Sequence, residues 1–159
     1  MPPMPSFPVV VTIKAPQAKV FEYLADISRH GEWGTADDRM KISAEKPGAP
    51  AVGARYQADA LLNGKQNKSA VTITALESPK RVAFDAEDSN SVFHHEFILT
   101  PEGDGTRFEH RVTMTKWPLP VSAGVHDLQE HRGEALRRRD AERQGQAGVG
   151  RLIQFVSAL

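Results

Sequence analysis

The chain has 159 residues, which fits one domain and is short for two. Its 20 Lys and Arg balance 20 Asp and Glu, so the basic excess that marks a nucleic-acid partner is missing. Cysteine is absent, which excludes disulfides, thiolate metal sites and cysteine nucleophiles.

The N-terminus, MPPMPSFP, carries four prolines and no basic residue. It lacks the charged start and the apolar run of about 7–15 residues that a secretory signal needs, and no segment approaches the ~20 apolar residues of a membrane span. Residues 1–6 are expected to be a disordered tail, residues 7–159 a single domain, and the cytoplasm the location. The β-branched run Phe7–Lys14 predicts a first strand. Pro16 suits the first turn of a helix, and Val20, Phe21 and Leu24 recur behind it at helical spacing. Asp26 or Ser28 can cap a second short helical turn that ends near Gly31.

From residue 38 the pattern becomes short strands separated by turn residues. Strands are expected at Arg39–Glu45, Gly53–Leu62, Asn67–Glu77, Arg81–Ala86, Val92–Thr100 and Thr106–Lys116. Between them lie KPGAP, the hairpin signal Asn63-Gly64-Lys65, Ser78-Pro79-Lys80, Asp88-Ser89-Asn90 and PEGDG. Six strands in hairpin order predict a largely antiparallel sheet of about seven strands. Residues 121–159 read as helix with a break around 130–134. Ala141, Gly145, Gly148, Leu152, Val156 and Leu159 form one stripe on it. That stripe is the long apolar helix face available to cover the sheet, so the expected fold is α+β, a curved sheet wrapped around a C-terminal helix.

Four segments carry a family resemblance: VTIKAPQAKVFEYLADISRHGEW at 11–33, VGARY at 52–56, ESPKRVAF at 77–84 and FILTPEGDGTRFEHRVTM at 97–114. They resemble the START/Bet v 1-like (SRPBCC) superfamily, of the polyketide cyclase/dehydrase and lipid transport type. The resemblance implies a helix-grip fold with a cavity between the sheet and the C-terminal helix. It implies no particular catalytic residues, because the superfamily shares no universal catalytic set.

Alternation assigns the faces of the strands. Phe108, His110, Val112 and Met114 share one face of the last strand, and Arg107, Glu109 and Arg111 the other. In the strand before it, Phe93, His95, Phe97 and Leu99 form the apolar set and leave His94 and Glu96 outside. Tyr56, Ala58 and Ala60, with Val82, Phe84 and Ala86, face inward on their strands. His95 and His110 therefore point inward from neighbouring strands, either opposite each other or offset by two residues. Such histidines can orient a polar ligand group, act as acid and base, or simply pack in the core. No third inward His, Asp or Glu is evident beside them, so no metal site is expected. Gly145 and Gly148 give clearance on the helix, and Leu152 continues its stripe. The run at 145–150 lacks the spacing and the preceding strand of a dinucleotide fingerprint, and Arg137–Arg139 reads as a solvated helix face.

The leading functional reading is a binding protein for a small lipophilic molecule. Burial at ~25 cal/mol per Å² drives binding, and His95, His110 and Tyr56 supply the polar contacts. Phe84, Phe93, Phe97, Phe108, Met114, Gly145, Gly148 and Leu152 complete the expected lining. No cofactor is expected, and no nucleic-acid partner or membrane span. The rival is a cyclase, aromatase or dehydratase whose inward histidines move protons. A partner-binding role for the charged helix face at 126–143 ranks below both.

Overall fold

A sequence that alternates charge with aromatic side chains must put the two sets on opposite sides of a sheet. The computed structural model describes residues 8–32, 40–62 and 65–116 and follows that rule. Its elements are strand β1 (Val9–Ile13), helix α1 (Gln17–Ala25), a 3-10 helix (Ile27–Glu32), then β2 (Lys41–Ala44), β3 (Arg55–Leu62), β4 (Lys65–Glu77), β5 (Arg81–Glu87), β6 (Val92–Glu102) and β7 (Gly105–Lys116). All seven strands join one antiparallel sheet in the order β1-β7-β6-β5-β4-β3-β2.

β1 and β2 are neighbours in sequence yet occupy opposite edges of the sheet. The chain between them has to cross one face, and it does so as the two helices. α1 packs on β5, β6 and β7, and the 3-10 helix packs on β2. Val20 and Leu24 of α1 and Ile27 of the 3-10 helix are buried together with Ile13, Ile73, Val82, Phe97, Leu99 and Phe108 of the sheet. Pro16 stands at the N-cap of α1, just ahead of the expected first turn, and its carbonyl accepts from the Lys19 and Val20 N–H groups. A bulge between Ile73 and Ala75 interrupts the β4–β5 register, a device that bends a strand and increases its twist.

β4 to β7 each run one or two residues longer than the sequence suggests, whereas β3 starts two residues later, at Arg55. β6 and β7 stay paired out to Glu102↔Gly105, which leaves Gly103 and Asp104 as a two-residue turn. Gly103 makes it possible, at φ 57° in the left-handed region. The turn at Ser78-Pro79-Lys80 is present and contains a cis Ser78–Pro79 bond.

The outer face carries the charges where alternation assigns them, with one addition. Arg107, Glu109 and Arg111 lie on it together, but Glu109 is not solvated: it is 7% exposed. The two arginines flank it along the strand and close over it. Arg107 donates from Nη1 at 3.0 Å and Arg111 from Nε at 2.7 Å. These bonds, that to Arg111 first, hold the Glu109 carboxyl below the usual carboxylate range. On the same face Arg81 pairs with Glu96, and His94 bonds Asp85 at 2.6 Å.

Several expectations lie outside the described residues: the tail at 1–6, the turn residues Asn63 and Gly64, and everything from Trp117 onward. The last group includes the helix at 121–159 with Gly145, Gly148 and Leu152.

Gly105 tests the β1–β7 edge. A Cβ placed there would run into the Ile13 carbonyl oxygen, whereas one at Gly103 meets nothing within 4 Å. Gly105→Ala should lower the unfolding free energy by about 2 kcal/mol or more, and Gly103→Asn by about 1 kcal/mol or less, since Asn tolerates the left-handed region. Urea denaturation of the two variants measures the difference.

Candidate functional site

Cross-strand register assembles the candidate site. His95 of β6 sits opposite Phe84 of β5 on one side and Val112 of β7 on the other. His110 of β7 sits opposite Phe97. Of the two arrangements the sequence allowed, the structure adopts the diagonal one, with the histidines two positions apart. The diagonal brings the rings into direct contact: His95 Nδ1 and His110 Nε2 are 3.1 Å apart, at hydrogen-bond distance.

Aromatic packing fixes both rings. Phe84 stacks on His95 at 4.7 Å and 7°, and His95 stacks on His110 at 5.3 Å and 21°. Phe97 meets His110 edge-on at 4.8 Å and leans on Phe108. Phe97 and Phe108 are buried, while His95, His110, Phe93, Val112 and Met114 each keep some accessible surface. Along β6 and β7 the inner face thus passes from closed core at Leu99 and Phe108 to accessible surface at Phe93 and Met114. The two histidines stand at that boundary.

A third inward histidine, which the strand pattern did not reveal, comes from the covering side. His30 of the 3-10 helix is 6% exposed. It stands edge-on to Phe84 at 5.5 Å and is tilted against Phe97 at 5.6 Å. Its Nε2 donates to the Leu24 carbonyl at 2.8 Å. The signal was present in the spacing: positions i and i+3 of a 3-10 helix eclipse, so Ile27 and His30 share the buried side. Three histidines therefore surround the Phe84–Phe97 rings. Among the described residues, though, no group of three His, Cys, Asp or Glu is placed to hold a metal ion.

Burial sets the charge state of the cluster. Desolvation lowers His30 to about 4, against smaller opposing effects of the Leu24 carbonyl and Asp26. Desolvation, then the repulsion of His30, lowers His110 to about 4. His95 is driven well below the ordinary histidine value, by desolvation first and then by His110, His30 and His94. At neutral pH all three rings are uncharged.

Neutrality has a consequence for the His95–His110 pair. A neutral imidazole has one N–H and one lone pair. If His95 Nδ1–H donates to His110, then His95 Nε2 is left as acceptor and His110 Nδ1–H as donor. If His110 Nε2–H donates to His95, the two outer ends exchange roles. In either tautomer the pair offers a ligand one donor and one acceptor.

The remaining predicted lining residues divide. Phe84, Phe97 and Phe108 belong to the ring cluster, and Phe93 and Met114 face each other across β6 and β7 at its accessible end. Tyr56 is buried on β3, with β4 and β5 between it and His95, so the structure does not bring it to the histidine pair. Among the described residues, two open clefts lie away from the histidine pair. One of about 530 Å³ is lined by Phe21, Asp26, Arg29, Pro50 and Leu76 among others, and one of about 300 Å³ by Lys19, Glu22, Tyr23 and Arg29. Neither includes a residue of the histidine cluster, and their mixed, solvent-open linings offer less specific chemistry than the paired rings.

Comparison with known proteins agrees with this architecture. The family model described as polyketide cyclase / dehydrase and lipid transport matches residues 4–151. A solved structure from Thermus thermophilus superposes with a TM-score of 0.75 at 17% identity, covering 97% of this chain and 98% of that one. Ara h 8.0201 gives a TM-score of 0.69 at 15% identity over 98% and 99%. The di-domain ARO/CYC StfQ from the steffimycin biosynthetic pathway gives 0.71 at 13% identity over 96% of this chain and 50% of that chain. At these identities the likeness shows the fold. No curated protein matches in sequence.

The depressed histidines predict a pH dependence of stability. His30 falls to about 4 in the folded chain from 6.5. Between those values the unfolded chain takes up a proton that the folded chain refuses. Its contribution is therefore complete above pH 6.5 and is lost as the pH falls toward 4, by about 3 kcal/mol for a shift of this size. His30→Gln, which keeps a side-chain N–H near the Leu24 carbonyl, should show a stability–pH curve shallower over that window by up to about 3 kcal/mol. Denaturant midpoints at pH 7, 5.5 and 4.5 read the slope.

Proposed function

We propose that this chain, which belongs to the polyketide cyclase/dehydrase and lipid transport family, binds a small lipophilic molecule against the inner face of its sheet. One polar group of that molecule rests on the His95–His110 pair. The observation that carries the reading is the pair itself: two mutually bonded rings, neutral at physiological pH, set in an aromatic face at the edge of the closed core. Apolar burial at ~25 cal/mol per Å² supplies the affinity, and the one donor and one acceptor of the pair supply orientation.

A second reading draws on the same feature. A pair that accepts a proton at one end and donates one at the other, then restores itself by exchanging tautomers, is equipped to enolise a bound ketone. A cyclase or dehydratase would need that step, and the ARO/CYC likeness supports this reading as far as a shared fold can. Binding comes first because both readings need the ligand seated on the histidines, and because no carboxylate lies on the inner face of β6 or β7 beside them to act as a stronger base.

Native mass spectrometry of the purified chain should reveal a co-purifying small molecule. With a matched ligand pair, one with a carbonyl head and one a pure hydrocarbon, His95→Phe combined with His110→Phe should cost the carbonyl ligand about five- to tenfold in affinity and spare the hydrocarbon. Equal losses for both, measured by calorimetry, would reduce the histidines to packing.

A further inference from the structure

We infer that His95 and His110 form a two-coordinate site for a soft monovalent cation of the copper(I) type, held in line between His95 Nδ1 and His110 Nε2. This goes beyond the binding reading above and does not depend on it. The ion takes the place of the proton that the two rings share.

The geometry carries the inference. The two nitrogens face each other at 3.1 Å. The ring centroids are 5.3 Å apart and the planes 21° from parallel. The centroids are farther apart than the nitrogens by about the width of one ring, so the rings are offset until they meet nitrogen to nitrogen. Burial keeps both rings uncharged at neutral pH. Each then turns a lone pair to the shared space once its other nitrogen carries the proton. Imidazole binds a metal at about 2.0–2.1 Å, so a linear unit needs the pair to open to about 4 Å. His95 has the freedom for that movement. Its ring lies 7° from parallel to Phe84, and withdrawal in its own plane slides it across the Phe84 face without pressing into it. Among the described residues, both histidines keep accessible surface, and Phe93 and Met114 continue that surface toward the open end of the face.

The donor set selects the ion. Zinc takes a tetrahedron of ligands, and among the described residues no group of three His, Cys, Asp or Glu is placed to supply one. The want of a third such residue argues against zinc but not against copper(I), which two nitrogens in line satisfy. Imidazole suits copper, and a thioether favours its monovalent state. Met114 supplies a thioether on the same face, two positions beyond Val112, the residue opposite His95. Uncharged donors in an aromatic face also favour the lowest ionic charge, because the cost of burying an ion rises with its charge. The cations at the margins are themselves partnered, Lys116 by Glu87 and Arg29 by Glu32. The chain has no cysteine to compete for a soft ion.

The test uses the full chain at pH 7 in chloride-free buffer, with nitrogen-labelled histidine and Ag+ as a redox-inert stand-in for copper(I). One equivalent of Ag+ should shift His95 Nδ1 and His110 Nε2 together, with silver–nitrogen coupling at both. Zn2+ at the same concentration should leave the two resonances in place. In native mass spectrometry, His95→Phe combined with His110→Phe should hold one silver ion fewer than the unaltered chain, and Met114→Leu should still hold it. The nitrogen shifts need no variant, so they decide even where the double variant does not fold. Shifts confined to His94, His126 or His131, or movement of one ring of the pair without the other, overturn the inference. So does an ion that follows Met114 and not the histidines, or a joint shift produced equally by Zn2+. Affinity for a long-chain ketone is measured separately, so loss of the silver site leaves the binding reading standing.

Discussion

The pairing of β6 with β7 is the constraint from which the rest follows. Its register sets Phe97 opposite His110 and Leu99 opposite Phe108 on one side, and Glu96 opposite Arg111 on the other. A slip of one residue would drive Arg107, Glu109 and Arg111 into the aromatic face and expose the rings, at a cost of several kcal/mol for each unpaired charge. The Arg107–Glu109–Arg111 clasp makes the correct face still more favourable, because those charges are satisfied only where they are. The same register turns both histidines inward and sets their diagonal contact. Site and fold therefore have one cause.

The histidines are costly residues for such a place. A phenylalanine would pack against Phe84 and Phe97 without a polar atom to satisfy, whereas a buried imidazole must find a partner for each nitrogen or lose free energy. His30 is partnered by a backbone carbonyl, as a packing histidine should be. His95 and His110 partner each other instead and stand where the core gives way to accessible surface. That contact with each other, at the edge of the closed core, is why the proposed reading assigns His95 and His110 to the ligand. It also makes the pair's chemistry that of neutral imidazole, a hydrogen-bonding unit without a fixed charge.

Much of this was legible in the sequence, for reasons that vary by residue. Period-two alternation is strong in Val92–Thr100 and Thr106–Lys116, so the strands and the inward aim of His95 and His110 could be read directly. Their diagonal offset could not, because it depends on how many residues the PEGDG segment gives to its turn, and Gly103 shortens that turn to two. Burial of Glu109 was hidden as well, since it comes from two long arginine side chains folding over it and not from the face it occupies. His30 was missed because a six-residue 3-10 helix is too short for its spacing to stand out beside a polar neighbourhood. Tyr56 was rightly placed inward, but alternation along one strand says nothing of distance across the sheet.

The central claim is that His95 and His110 meet the ligand as a neutral, inward-facing pair. The measurement closest to it is isotope-edited NMR of the chain with a carbonyl-labelled long-chain ketone at pH 6.5. The account predicts intermolecular contacts from the ligand to the ring protons of His95 and His110, with both rings showing the nitrogen shifts of neutral tautomers. Contacts confined to the cleft around Phe21 and Leu76, or either ring titrating near 6.5, would contradict it.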